Sequence, residues 1–208
     1  HTGPSAGSAA ADRGPVGTVM HTPGLRGVMV TSIVTTSTTE LLVVYLPALG
    51  TELGLSSGLV GMLLSLRAVA AMASRFMTGP LVGRFGRKRV LAGSMVLSAA
   101  SLAVLPLPWP VAALAVLMVL AGAGLAIGPP LTMAWLTDAV APAIQGTAIS
   151  VRMVGNRLGQ VVVPLAAALL AAQFGTAGVF WMISTALGAC LVPIGRLRHG
   201  VDRPRPTS

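Results

Sequence analysis

Charge is scarce in this chain of 208 residues: Asp, Glu, Lys and Arg together make up 9% of it. A water-soluble domain carries about 25%, and a soluble fold this apolar could not cover its surface with polar groups. Cysteine occurs once, as Cys190 inside an apolar run. That excludes an internal disulfide framework and a cysteine metal cluster, and Cys190 reads as a small buried apolar residue. Histidine is confined to His1, His21 and His199, all in the tails. No apolar stretch therefore holds a His–Glu pair, a metal cluster or a Ser/His arrangement, so an enzyme, a metal site and a bound cofactor are not expected. The first residues also lack a basic stretch followed by an apolar core, so no signal peptide is expected.

What is present is apolar length. Hydrophobic residues make up 54% of the chain and mean hydropathy is +0.83. A membrane span needs roughly 20 mostly apolar residues, because about 30 Å of hydrocarbon is crossed at 1.5 Å per residue. Six stretches qualify or nearly so: 27–49, 57–79, 90–107, 111–135, 146–171 and 177–195. They are apolar nearly all round, without the polar stripe of a soluble amphipathic helix. The expected fold is an all-α membrane protein, with one bundle of six transmembrane helices over 27–197. Residues 1–26 read as a flexible cytoplasmic linker and 198–208 as a cytoplasmic tail. The chain begins with His1 and a Gly/Ala/Ser/Pro-rich segment, and further chain upstream is expected.

The charges sort by side. Threading six spans puts Arg13, Arg26, Arg84, Arg87, Lys88, Arg89, Arg196, Arg198, Arg203 and Arg205 on one face of the membrane. The other face receives Glu52 and no Lys or Arg. The positive-inside rule then places both termini and the 80–89 loop in the cytoplasm, in a multi-pass plasma (inner) membrane protein. A net charge of +9 could suggest nucleic acid, but a nucleic-acid binder would not show this one-sided pattern, so none is expected.

Ionisable residues at membrane depth are costly and mark functional candidates. Glu40 and Arg67 lie near the middle of the first two spans, and an ion pair or a shared water-filled cavity is expected between them. Glu40 is the candidate for protonation or coupling. Arg75 lies nearer the cytoplasmic end and reads as a snorkelling residue. In the fifth span Arg152, Asn156 and Gln160 recur every four residues, which keeps them within about 80° on one helix face. That stripe reads as cavity lining, with hydrogen bonding between helices as the alternative. Arg157 lies about 140° from Arg152 and should serve a different neighbour. Gly155 and Gly159 form a small-xxx-small pair that suggests tight packing. The hydroxyl run Thr31–Thr39, with Thr35 and Thr39, is expected to line the pathway and to soften its helix. Four in-span arginines face one glutamate. Either acidic partners lie elsewhere or the cavity favours anionic substrates.

The sequence Gly79-Pro-Leu-Val-Gly-Arg-Phe-Gly-Arg-Lys-Arg89 joins the second and third spans. Its glycines at 79, 83 and 86 are expected to permit a tight turn and close helix approach. It resembles the loop motif G-x-L-a-D-r-x-G-r-k of the major facilitator superfamily, matching at Gly79, Leu81, Arg84, Gly86, Arg87 and Lys88. Gly83 stands at the acidic position. A degenerate acid is typical of the family's second copy, between helices 8 and 9. Arg152 to Gln160, followed by Pro164, is similar to family helix 11, and Gly124 to Pro130 to family helix 10. The resemblance implies the C-terminal six-helix half, helices 7–12, of a transporter built from two bundles of inverted repeats around a midplane site. The implied partners are the lipid bilayer, a small-molecule substrate and a missing N-terminal half. The implied activity is secondary transport by alternating access, proton-coupled, with efflux the preferred direction. The alternatives are a complete six-helix oligomeric carrier or channel, and a non-transporting sensor or assembly protein of the same fold.

Overall fold

The computed structural model describes Gly17 and residues 24–195. The expected tail 198–208, most of the linker 1–26, all three histidines, and Arg13, Arg196, Arg198, Arg203 and Arg205 lie outside the described residues. The described part is helical: α1 (Leu25–Glu52), α2 (Ser57–Phe85), α3 (Arg87–Val104), α4 (Val111–Ala139), a 3-10 turn (Pro142–Ile144), α5 (Gln145–Ala189) and α6 (Leu191–Gly195). Helix α1 takes in Leu25 and Arg26, so the linker ends earlier than expected. Helix α2 runs six residues beyond the expected end, through Pro80 to Phe85.

Four segments are long and apolar enough to cross a membrane: α1, α2, α4 and the run Pro142–Ala189. Helix α3 falls short because its first three residues, Arg87, Lys88 and Arg89, are all basic. The two spans expected at 146–171 and 177–195 appear as one long helix with a break. At Gly175 the backbone has φ 67° and ψ −169°, a region essentially open to glycine alone. Side-chain contacts fix what the break does. Gln145 Nε2 donates to Thr137 O at 2.9 Å, next to Asp138 at the end of α4. Thr176 Oγ1 donates to Glu52, at the opposite end of the bundle. Lys88 Nζ donates to Gly195 O at 2.7 Å, back at the first end. The segments before and after Gly175 therefore run in opposite directions.

Helix α4 is the centre, packing against α1, α2 and α3. Its small residues let the neighbours in. A Cβ at Gly122 would stand 2.5 Å from the backbone oxygen of Arg67, so α2 crosses α4 at a distance only glycine permits. The core is built from buried Leu41, Leu42, Leu91, Met95, Leu102, Met118, Phe180, Ile183 and Leu187. Outside it, α2 exposes Val69, Met72 and Phe76, and α5 exposes Val161, Val162, Leu165 and Leu169. Apolar faces of this size suit lipid or another apolar partner rather than water.

Three hydroxyls of the run in α1 bond within their own helix. Thr31, Thr35 and Thr39 donate to the carbonyls of Gly27, Thr31 and Thr35, at 2.8, 2.7 and 3.0 Å. Each bond spans one helical turn. Thr31, Ser32, Thr35, Ser37 and Thr38 are buried in the bundle. The expectation that this whole segment lines a pathway gives way to packing, with Thr36 and Thr39 the exceptions.

Candidate functional site

A cavity of about 390 Å³ opens between α1, α2 and α4. Helix α1 contributes Thr36, Thr39 and Glu40, and α2 contributes Arg67 and Arg75. Met72 and Leu125 also line it, and the space is left by the small residues between them: Ala68, Ala71, Gly122 and Ala126 stand where larger side chains would fill it. Pro129 closes one side.

Glu40 and Arg67 share this cavity and make no ion pair. Among the described residues the only salt bridge is Arg87–Asp138. Arg67 Nε is buried and makes no hydrogen bond among the described residues. The close crossing at Gly122 positions it, since a Cβ there would also stand 2.8 Å from Arg67 Cγ. The cavity thus offers a guanidinium with an unused donor, a second arginine and one carboxylate. Such a set can hold a polar or anionic group by charge-assisted hydrogen bonds and can exchange a proton at Glu40.

Arg152 sits elsewhere, at the junction of α1, α4 and α5. Its Nε donates to Ser32 Oγ at 2.9 Å. One Nη donates to Thr132 Oγ1 at 3.2 Å and to Pro129 O at 3.3 Å, and the other lies 3.4 Å from Met133 Sδ. Ser32 Oγ in turn donates to Asn156 Oδ1 at 3.2 Å. Gln160 Oε1 accepts from Arg157 at 3.0 Å. None of Arg152, Asn156 and Gln160 borders the cavity of Glu40 and Arg67. Arg152 and Asn156 join α5 to its neighbours, Gln160 bonds within α5, and Gly159 presses against Ile33 and Ser37 of α1. Thr35 is likewise behind the cavity wall, its Oγ1 3.8 Å from Met95 Sδ.

The loop motif also differs from its expected geometry. A Cβ at Gly79 or Gly83 would meet nothing within 4 Å, so neither glycine serves a close approach. Gly86 alone makes the turn, with φ 80°. Arg84 lies over the Phe85 ring, 5.5 Å from its centroid. Arg87 pairs with Asp138 across to the end of α4. That pair was missed in the sequence, although Asp138 is the only acid between the fourth and fifth spans. Arg75 was missed as a cavity residue because its position near a helix end suggested snorkelling. Among the described residues no three His, Cys, Asp or Glu side chains could hold a metal ion.

Comparison with known proteins agrees with this architecture. The chain is 30% identical over 142 residues to the 3-(3-hydroxy-phenyl)propionate transporter of Escherichia coli (strain K12), covering 65% of this chain and 33% of that protein. It is 30% identical over 105 residues to the arabinose-proton symporter of Bacillus subtilis (strain 168), covering 50% and 23%. The chain thus spans a third or less of these curated relatives. Its fold superposes on the proton:xylose symporter XylE bound to 6-bromo-6-deoxy-D-glucose with a TM-score of 0.70 at 16% identity, over 86% of this chain and 44% of that one. The inward-open xylose transporter XylE from E. coli gives 0.69 at 15%, over 83% and 47%. The pattern of the Major Facilitator Superfamily matches residues 28–208, and the chain belongs to that family.

Proposed function

We propose that this chain is the C-terminal half of a proton-coupled secondary transporter, and that the cavity of Glu40, Arg67 and Arg75 is its share of the substrate site. The observation that carries the reading is the cavity itself: three ionisable side chains around about 390 Å³ of open space on the side of an apolar helical bundle. Charges at that depth are retained where they face a substrate or proton path. Membership of a transporter family supports the activity, and a coverage of 44% of the matched structure supports the half-transporter reading.

In this reading the bundle makes six passes. Helix α5 has 45 residues, or about 68 Å at 1.5 Å per residue, over twice the hydrocarbon thickness. The reversal at Gly175 resolves that length into two passes. Both termini and the Arg84–Arg89 turn lie in the cytoplasm of the inner membrane, by the one-sided placement of basic residues. Transport proceeds by rocking of the two bundles around the midplane cavity. Glu40 takes up and releases the coupling proton. For direction, we place symport ahead of the efflux preferred from sequence, because two of the similar proteins are named as proton symporters.

The substrate class follows from charge. Two arginines and one glutamate line the cavity, and Arg67 Nε has no acceptor among the described residues. A small carboxylate would supply one, and the propionate transported by one relative carries such a group. The test is uptake by the full-length protein in proteoliposomes under an imposed proton gradient, offering 3-(3-hydroxyphenyl)propionate, L-arabinose and D-xylose. Gradient-driven accumulation that a protonophore collapses is expected, with the acid preferred over the sugars. Absence of flux for all three from folded protein would favour the sensor or assembly reading.

A further inference from the structure

A second cavity lies outside the transport site, on the far face of α3. It measures about 280 Å³ and is bounded by Leu81 and Phe85 of α2, Val90, Gly93 and Leu97 of α3, and Ile127 of α4. One more hydroxyl reaches it, from Ser94, but that oxygen already donates to Leu91 O at 2.8 Å. The groove is therefore apolar, with a single charged residue, Arg89, at one end. From Arg89 to Leu97 it follows α3 for about 12 Å at 1.5 Å per residue, close to the ~15 Å that one leaflet contributes to the hydrocarbon core.

The charges around its mouth are unequally used. Arg87 is paired with Asp138, and Lys88 donates to Gly195 O. Arg89 is exposed and makes no ion pair or hydrogen bond among the described residues. Arg84, also exposed, has only the Phe85 ring beneath it. Arg89 thus stands at the polar end of an apolar slot with no counter-charge among the described residues, and Arg84 lies over Phe85, which lines that slot. Arginine forks match phosphate geometry, and basic residues beside a helix groove at the membrane surface suit anionic head groups.

We propose that this groove binds an anionic phospholipid, with one acyl chain between Phe85, Gly93 and Leu97 and the phosphodiester on Arg89, assisted by Arg84. The site is separate from the Glu40 cavity and does not depend on its function. Only the choice of leaflet rests on the cytoplasmic placement of the 84–89 turn. Gly93 keeps the slot open: a Cβ there meets nothing within 4 Å. A large side chain at 93 would fill the groove without disturbing the packing of the bundle.

The experiment is native mass spectrometry of the full-length protein, released from detergent after titration with phosphatidylglycerol, phosphatidylcholine of the same chains, or glycerol phosphate. The unaltered protein is expected to retain phosphatidylglycerol in preference to phosphatidylcholine. Arg89→Gln should weaken that retention about fivefold, the equivalent of about 1 kcal/mol per basic residue near a lipid surface. Arg89→Lys should restore most of it, and Gly93→Phe should weaken it with both arginines intact. Equal retention of the two lipids would overturn the proposal. So would full retention in Gly93→Phe, which would leave a head-group contact without the groove. Competition by glycerol phosphate as effective as that by whole lipid would assign the arginines to a free phosphate instead, and would also overturn it.

Discussion

Arg152 Nε donates to Ser32 Oγ at 2.9 Å, and through that bond the fifth helix is tied to the first. The same guanidinium reaches Thr132 and Pro129 of the fourth helix, so one side chain joins three elements without a carboxylate among its partners. Hydrogen bonds to a charged group contribute about 1.5–3 kcal/mol. Arg152→Ala is therefore expected to destabilise the full-length protein by about 2 kcal/mol, lowering Tm by about 2–3 °C in a detergent melt. Flux per folded molecule should change little. A collapse of flux at unchanged Tm would place Arg152 in the transport path instead.

Cys190 is buried and is the only cysteine in the chain. That makes accessibility of the cavity measurable with little background from this half. Ala71 lines the cavity opposite Glu40, and a thiol there should be reachable from water. In the full-length protein with any cysteines elsewhere replaced, Ala71→Cys is expected to react with a membrane-impermeant maleimide while Cys190 does not, since thiol reactivity needs access as well as thiolate. Transported substrate should slow the reaction. Labelling of Ala71→Cys no faster than that of Cys190 would mean that the cavity is closed to solvent.

The reversal at Gly175 rests on a backbone conformation rather than on tight packing. A Cβ there would meet only Glu52 Oε1, at 3.9 Å. The cost of Gly175→Ala is thus the strain of φ 67°, about 2 kcal/mol, or a fall in Tm of about 2–3 °C in the full-length protein. An unchanged melting curve would show that the chain turns differently at this point.

The pair Arg87–Asp138 is partly open to solvent, with side chains 26% and 49% exposed. Ion pairs of that kind couple by about 0.2–1 kcal/mol and weaken with salt. A double-mutant cycle with Arg87→Ala and Asp138→Ala should give a coupling of about 0.5 kcal/mol, falling further in high salt. A coupling several times larger and insensitive to salt would require a buried network.

The helical bundle was largely legible in sequence because lipid-facing helices carry their signal in length and apolarity. Glu40 and Arg67 were legible for the same reason: a charge in the middle of an apolar run is conspicuous. What the sequence hid was direction. Thr31, Thr35 and Ser32 read as pathway residues, yet Thr31 and Thr35 are buried and bond back to their own helix, and Ser32 is buried against Arg152 and Asn156. Arg152, Asn156 and Gln160 do share a helix face, but periodicity cannot say whether that face meets a cavity or a neighbouring helix. Arg75 and Asp138 depend on contacts between distant segments, which spacing along the chain does not encode. The break at Gly175 was marked in the sequence by the glycines of Phe174–Gly178 between two apolar runs, but not by any sign of its backbone conformation.

The central claim is that Glu40 and Arg67 serve one transport cavity, and proton-driven uptake by the full-length protein tests it most directly. Using whichever of 3-(3-hydroxyphenyl)propionate, L-arabinose or D-xylose the unaltered protein accumulates, Glu40→Gln should abolish dependence on the proton gradient while substrate exchange at equilibrium persists. Arg67→Gln should impair both. Uptake and pH dependence unchanged in both variants would contradict the assignment of this cavity to transport.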